Sequence, residues 1–245
     1  MEERIPEIRF KGFAEPWEEK KWSDTVDISK EMVDPRTGAF DSLPHIAPGN
    51  IESFSGQLFD NVKLVKDENL ISGKFHFYDG DIVYGKINPQ LGKFFYAKFE
   101  GLTSADAYVL NSKNGLQQKF LYSVLQTADF FNYSVSVSRR SGMPKINREE
   151  LNAYSFLAPN EEKEQIRIGE MLLSFDNLIS CQQQKLDQLK TLKKGGQSLK
   201  VLGRALSDFE VFSFSKLNNQ NKFFRLKKFY LLSSSMPYFF FCRIT

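Results

Sequence analysis

The sequence predicts an α+β protein: a mixed α/β domain followed by one long coiled-coil-forming helix. Three observations predict it. Residues 160–196 carry apolar side chains in alternating steps of four and three, the 3.5-residue period of a helix that packs along another helix. The preceding 158 residues hold short β-type apolar runs cut by Gly and Pro turns, with one clear amphipathic helix among them. The chain has 245 residues, 41% hydrophobic and 26% charged, which suffices for one sizeable core plus an accessory element.

In chain order, Pro6 and Pro16 predict an extended opening segment, with Phe10, Phe13 and Trp17 as anchors that tuck onto a core. Trp22 to Ser29 reads as a short strand or a helical turn. Pro35 to Gly56 is loop-like, punctuated by Pro35, Gly38, Pro44, Pro48, Gly49 and Gly56, and a loop on a rigid scaffold is a usual seat of recognition. Gly80-Asp81 forms a turn into the strand Ile82-Val83-Tyr84, which stops at Gly85-Lys86. Lys93 to Phe99 and Ala107 to Leu110 follow as strands. Asn114 opens an amphipathic helix in which Leu121, Leu125 and Ala128 share a face widened by Phe120 and Val124. Tyr133 to Ser138 has β composition, and Arg139-Arg140-Ser141-Gly142 is a basic turn. Asn147 and Glu150 make a capping-box start to a one-turn helix, and Tyr154 to Leu157 is the last short strand. Residues 1–158 therefore form the domain, 159–196 the helix, and 197–245 an aromatic-rich tail with neither a helix period nor clean alternation.

The long helix has its own start and stop chemistry. Asn160 is the expected N-cap, and Glu161, Glu162 and Glu164 place negative charge in the first turn, where the helix dipole favours it. Lys190, Lys193 and Lys194 precede Gly195-Gly196 at the other end. The row Ile168, Leu172, Phe175, Ile179, Gln182, Leu186 and Leu189 is the expected pairing surface, with Gln182 as a polar register-setting position. About 34 helical residues make a rod of roughly 50 Å, longer than a small domain needs.

The chemistry expected of an enzyme is missing. No Walker-type phosphate loop and no dinucleotide fingerprint opens a helix. Asn88-Pro89-Gln90 lacks the second proline and the aromatic of the motif by which amino-methyltransferases hold a flipped base. His45 and His76 have no metal-type spacing, and Cys181 and Cys242 give neither a metal site nor a disulfide framework. No catalytic residue, metal ligand or cofactor is therefore assigned. A net charge of +3 excludes a polycationic coat, so any nucleic-acid surface has to be local. Lys86, Lys93, Arg139, Arg140, Lys145 and Arg148 lie in or near turns, where cationic side chains reach phosphates or guanine edges, and Gln57 and Asn88 have the amide that pairs with adenine. The opening residues lack an apolar signal core and no run reaches 18 apolar residues, so a cytoplasmic location without a membrane partner is expected.

Four separated motifs carry a family resemblance. Pro6-Glu7-Ile8-Arg9-Phe10-Lys11-Gly12-Phe13 with Trp17-Glu18 resembles the opening of a target-recognition domain of a type I restriction–modification specificity subunit. Gly80-Asp81-Ile82-Val83-Tyr84-Gly85-Lys86-Ile87-Asn88-Pro89 resembles that family's central strand and turn. Ser141-Gly142-Met143-Pro144-Lys145-Ile146-Asn147 resembles its closing segment. Leu157-Ala158-Pro159, Glu164-Gln165-Ile166, Gln184-Lys185-Leu186 and Leu189-Lys190 resemble its spacer helix. The resemblance spans residues 4–196. It implies a non-catalytic subunit that reads double-stranded DNA and holds modification (methyltransferase) and restriction (endonuclease/translocase) subunits, with two antiparallel helices setting the distance between half-sites.

One recognition domain and one helix make half of such a subunit. The resemblance then implies a homodimer, or pairing with another half-subunit, and a homodimer implies an interrupted palindromic target. Residues 197–245 do not resemble the family's second domain, as a frameshifted or recombined gene end would explain. An inactive truncated recognition cassette or scaffold is the alternative. A stand-alone DNA methyltransferase ranks lower, for want of a cofactor motif.

Overall fold

The computed structural model describes residue 6, residues 8–139 and residues 142–194. Arg140, the Gly195-Gly196 stop and the 197–245 tail named above lie outside the described residues.

Strand β1 (Glu18–Lys21) leads into a helical turn α1 (Trp22–Thr25) and β2 (Val26–Ile28), so Trp22 to Ser29 holds both elements that its sequence allows. Then come β3 (Met32–Val33), β4 (Pro44–Ile46), β5 (Lys63–Leu64), β6 (Lys74–Phe77), β7 (Ile82–Gly85), β8 (Phe94–Tyr96), β9 (Gly101–Thr103) and β10 (Ala107–Ser112). Helices α2 (Gln118–Leu125), α3 (Ala128–Val137) and α4 (Arg148–Asn152), strand β11 (Ser155–Ala158) and helix α5 (Glu162–Lys194) complete the order.

A central antiparallel sheet runs β2-β10-β7-β8, and a second sheet runs β3-β6-β9-β4-β5 with one parallel pair, β4 with β9. The side chains of β7 and β10 alternate between two cores. Ile82, Tyr84, Tyr108 and Leu110 face a core shared with the helices. Val83, Ala107 and Val109 face one shared with Phe75, Phe77 and Ile46 of the second sheet. The central sheet is thus covered on both faces, which is why Ile82-Val83-Tyr84 reads as a continuous apolar run.

The opening segment closes the helix side. Trp17 packs edge-on against Phe120, and β1 pairs antiparallel with β11. Arg9 forks onto Glu164 of α5 through Nε and one terminal nitrogen, both at 2.7 Å, in a pair almost wholly excluded from solvent. Phe10 packs on the same core, and Phe13 lies under the guanidinium of Arg167.

Three sequence expectations are corrected. Residues 128–137 form helix α3, although Tyr133 to Ser138 has β composition. Thr127 caps the helix by accepting from the Phe130 backbone N–H, and Phe130 and Ser134, four apart, are its buried face. Asn114 does not open a helix. It sits at φ 52 in a turn with Gly115, its amide donates to the Asp24 carbonyl, and α2 starts only at Gln118. Asn160 does not cap α5, whose first backbone bonds run to the Glu161 carbonyl; its side chain accepts from Lys20 Nζ instead. The Asn147–Glu150 capping box forms in full, with each side chain bonded to the other's backbone N–H at 2.8 Å.

The largest correction concerns α5. Ile168 (1% exposed) and Leu172 (3%) are buried in the domain's own core, and Phe175 packs against its margin. They are therefore satisfied within the chain, and not free to pair with a partner helix as the row suggests. Gly169 makes the approach close, since a Cβ there would lie 2.7 Å from the α2 backbone at Lys119. Gln165, buried, donates to the carbonyls of Pro159 and Gly115 and accepts from the Gln117 backbone N–H. Contacts between α5 and the domain continue to Asp176, which accepts from Gln126, and Asn177, which accepts from Lys98. Beyond them Leu178 (52% exposed), Ile179 (42%) and Leu192 project with the solvent-facing stretch of the helix.

Candidate nucleic-acid interface

Strand β7 ends at Gly85, β8 begins at Phe94 and β10 begins at Ala107, so the loops outside these ends gather at one end of the central sheet. Three segments meet there. The first is a hairpin-like loop closed by an Ile51–Leu58 bridge, in which the Glu52 N–H donates to the Gln57 carbonyl at 2.8 Å. The second is the turn from Lys86 to Lys93, built on Asn88 and Gly92 in left-handed conformation around the 3-10 turn Pro89–Leu91. The third is Gly142 to Asn147, held by an Ile87–Lys145 bridge, by the Asn88 N–H on the Pro144 carbonyl and by the Ile146 N–H on the Lys86 carbonyl.

Of the sequence-predicted residues, Lys86, Asn88 and Lys145 are brought together on paired backbone. Lys86 Nζ and the Arg148 guanidinium each lie 5.2 Å from the centre of the Tyr108 ring. Partial burial, and then the positive charges of Lys145 and Arg148, hold the Lys86 ammonium below the usual lysine range, with Asp106 opposing. Two cations share the Tyr108 ring and a third, Lys145, lies near enough to act on Lys86, with the Asp106 carboxylate as their counter-charge, so this end is locally cationic. Arg148 is structurally committed, since it also donates to the carbonyls of Ile28 and Ser29. Lys145 is exposed, and Asn88 is half-buried with its side-chain oxygen accepting from Gln90.

Lys93 is corrected. Its ammonium donates to the Ile51 carbonyl and lies over the Phe59 ring, so it ties the 51–58 loop to β8 and is not free to reach out. Gln57 is half-buried in that same loop. Arg139 is exposed just past the C-terminus of α3, whose body packs against the Pro89–Leu91 turn.

Sequence reasoning missed the apolar members of this end. Phe54, at the tip of the 51–58 loop, is 57% exposed at φ 61. Leu91 and Met143 are exposed on the other two segments. Below Phe54 lies a cavity of about 170 Å³ lined by Phe94, Phe130, Phe131, Tyr84, Pro89 and Ser134 among others. An aromatic residue inside the polar run Ser53-Phe54-Ser55-Gly56 was the available signal. Among the described residues no group of three or more His, Cys, Asp or Glu is placed to hold a metal ion, and no helix is long and apolar enough to cross a membrane.

A domain of two larger sheets with the β1–β11 pair beside them, its core extended into a protruding helix, is similar in fold to solved specificity subunits of type I restriction–modification systems. The chain belongs to the family of the type I restriction modification DNA specificity domain. That family's model matches residues 14–191. The type I restriction enzyme EcoDI specificity subunit of Escherichia coli is 30% identical over 168 residues, 68% of this chain and 37% of that protein. The fold is similar to that of the HsdS subunit from Thermoanaerobacter tengcongensis, with TM-score 0.54 and 14% identity over 72% of this chain. It is similar also to the S subunit of the type I system of M. genitalium, with TM-score 0.55 and 14% identity over 78%. The chain spans 46% of each of those two solved chains, and so less than half the length of these relatives.

Proposed function

We propose that this chain is a non-catalytic DNA-reading half of a type I restriction–modification specificity subunit. The observation that carries the reading is the membership of residues 14–191 in the specificity-domain family. The convergence of Lys86, Asn88 and Lys145 on one loop end supports it, because phosphate contacts position a protein on DNA and amide side chains read bases. In this reading the loops from residues 51–58, 86–93 and 139–148 lie on double-stranded DNA and recognise one half-site. The projecting part of α5 pairs through Ile179, Gln182, Leu186 and Leu189 with a second copy or with another half-subunit. The assembled pair docks the modification and restriction subunits. The chain works in the cytoplasm, where its target is.

Methylation mapping of DNA from cells that co-express this chain with its modification subunit tests the reading. An interrupted palindrome carrying methyladenine is the expected result and establishes a self-pairing half. An interrupted asymmetric site establishes that a different half completes the subunit. A soluble protein that yields no methylated motif overturns the reading in favour of an inactive cassette.

A further inference from the structure

Phe54 combines two features that are unusual for a phenylalanine. Its backbone lies at φ 61, a region that a bulky side chain seldom adopts, and the residue is 57% exposed. The conformation is nevertheless enforced. The Phe54 N–H donates to the Gly92 carbonyl at 2.9 Å, and the ring lies over Gly92 so closely that a Cβ there would come within 2.4 Å of it. Gly92 itself sits at φ 55 at the end of the turn that carries Asn88. Two segments therefore hold the ring in place, and one of them, the turn from Lys86 to Lys93, also carries Lys86 and Asn88. Leu91, exposed on the adjoining turn, widens the apolar surface.

We propose that Phe54 is a specificity-determining residue of the DNA-reading surface, set against the C5-methyl group of a thymine in the major groove. The inference rests on the specificity-subunit reading and adds the contact that its polar residues cannot make. Among the base edges open in the major groove, the thymine methyl is the apolar one, and an aromatic side chain is a known complement to it. Prying a base step apart is the other use of an apolar side chain on DNA, and it is made by proteins that bind the minor groove. The Phe54 ring rests on Gly92 and meets Phe131 edge-on at 5.5 Å between centroids, and it borders the 170 Å³ cavity. A held and exposed ring suits contact with a methyl group.

The test uses the complex of the full chain with its modification subunit and a duplex of the mapped target sequence. Thymines are replaced one at a time by uracil, which differs by that methyl alone. At one position the wild-type complex loses about 4-fold in affinity, the equivalent of one buried methyl. The Phe54→Ala complex binds the unsubstituted duplex more weakly by at least that factor and does not respond to uracil at that position. Phe54→Leu retains both the affinity and the response. The slope of affinity against salt stays the same in all three, because no phosphate contact is lost. Phe54→Asn, which tolerates the left-handed backbone, binds like Phe54→Ala with a Tm no lower than wild type.

If no uracil position matters and Phe54→Ala binds normally, the proposal is overturned while the specificity reading stands. The same holds if Phe54→Asn melts well below wild type yet binds as tightly, since the ring is then a plug for the cavity. Failure of the wild-type complex to bind the mapped duplex would take both readings down.

Discussion

The two halves of α5 share one apolar period and have opposite surroundings. From Glu162 to Asn177 the row meets the chain's own domain, with Ile168 and Leu172 in the core and Glu164 and Gln165 engaged from the opening segment and the α2 entrance. From Leu178 to Lys194 the hydrogen bonds described for side chains run within the helix, such as Gln183 and Thr191 to Asp187, and Leu178, Ile179 and Leu192 face solvent. A 3.5-residue period reports that a helix face is to be covered, and is silent on whether the cover is the same chain or another. The first half stabilises the fold. The second half is what remains for a partner.

Substitutions along the row break this comparison or sharpen it. Leu172→Asp has the largest effect, because it removes a core side chain, at about 2–5 kcal/mol, and buries an unpaired charge besides. A cooperative thermal transition should be absent by calorimetry; a normally melting Leu172→Asp protein would return the first half of the row to partner pairing. Arg9→Ala comes next. It leaves the Glu164 carboxylate buried without its fork, at about 3–5 kcal/mol. Chemical denaturation should show a lower midpoint with an unchanged slope.

Leu186→Asp belongs to the other half. Leu186 is half-buried on the stretch beyond the last domain contact, so the substitution should leave the domain's melting nearly unchanged. For a chain that pairs with itself as proposed, it should reduce the solution mass from dimer to monomer in light scattering. An unchanged mass would remove this stretch from the pairing surface.

The smallest effect is a pH dependence centred on His45, remote from the helix. Burial holds its imidazole below the usual histidine range, aided by the charge of Lys74, and the Glu68 carboxylate at 2.6 Å opposes without prevailing. The unfolded chain therefore takes up the proton first. Stability is fully present above pH of about 6.5 and declines as the pH falls from there toward the folded value. The loss of Tm between pH 7.5 and 5.5 should be smaller in His45→Gln than in wild type.

What the sequence made legible follows from how local each determinant is. The Asn147–Glu150 box needs four residues and forms as read, and the run Ile82-Val83-Tyr84 announces a strand buried on both faces. Residues 128–137 deceive because β-type side chains are outweighed by a Thr127 cap and by a Phe130–Ser134 stripe whose value depends on the core it meets. The loop end was legible in part. Lys86, Asn88 and Lys145 converge through backbone pairing that their turn residues hinted at, whereas the diversion of Lys93 to the Ile51 carbonyl depends on a contact 42 positions away. Phe54 escaped notice because its meaning lies in exposure and backbone angle, neither of which composition encodes.

The seating of Gly169 against α2 carries a consequence of leverage. About 25 Å of helix projects beyond Asn177 at 1.5 Å per residue, so each degree of tilt at the base moves the far end by about 0.4 Å. A methyl group at position 169 has no room at 2.7 Å from the α2 backbone and must push the helix aside. The angular accuracy of whatever the free end holds is thus set at its foot, by one missing side chain and by the Gln165 amide that locks the pivot.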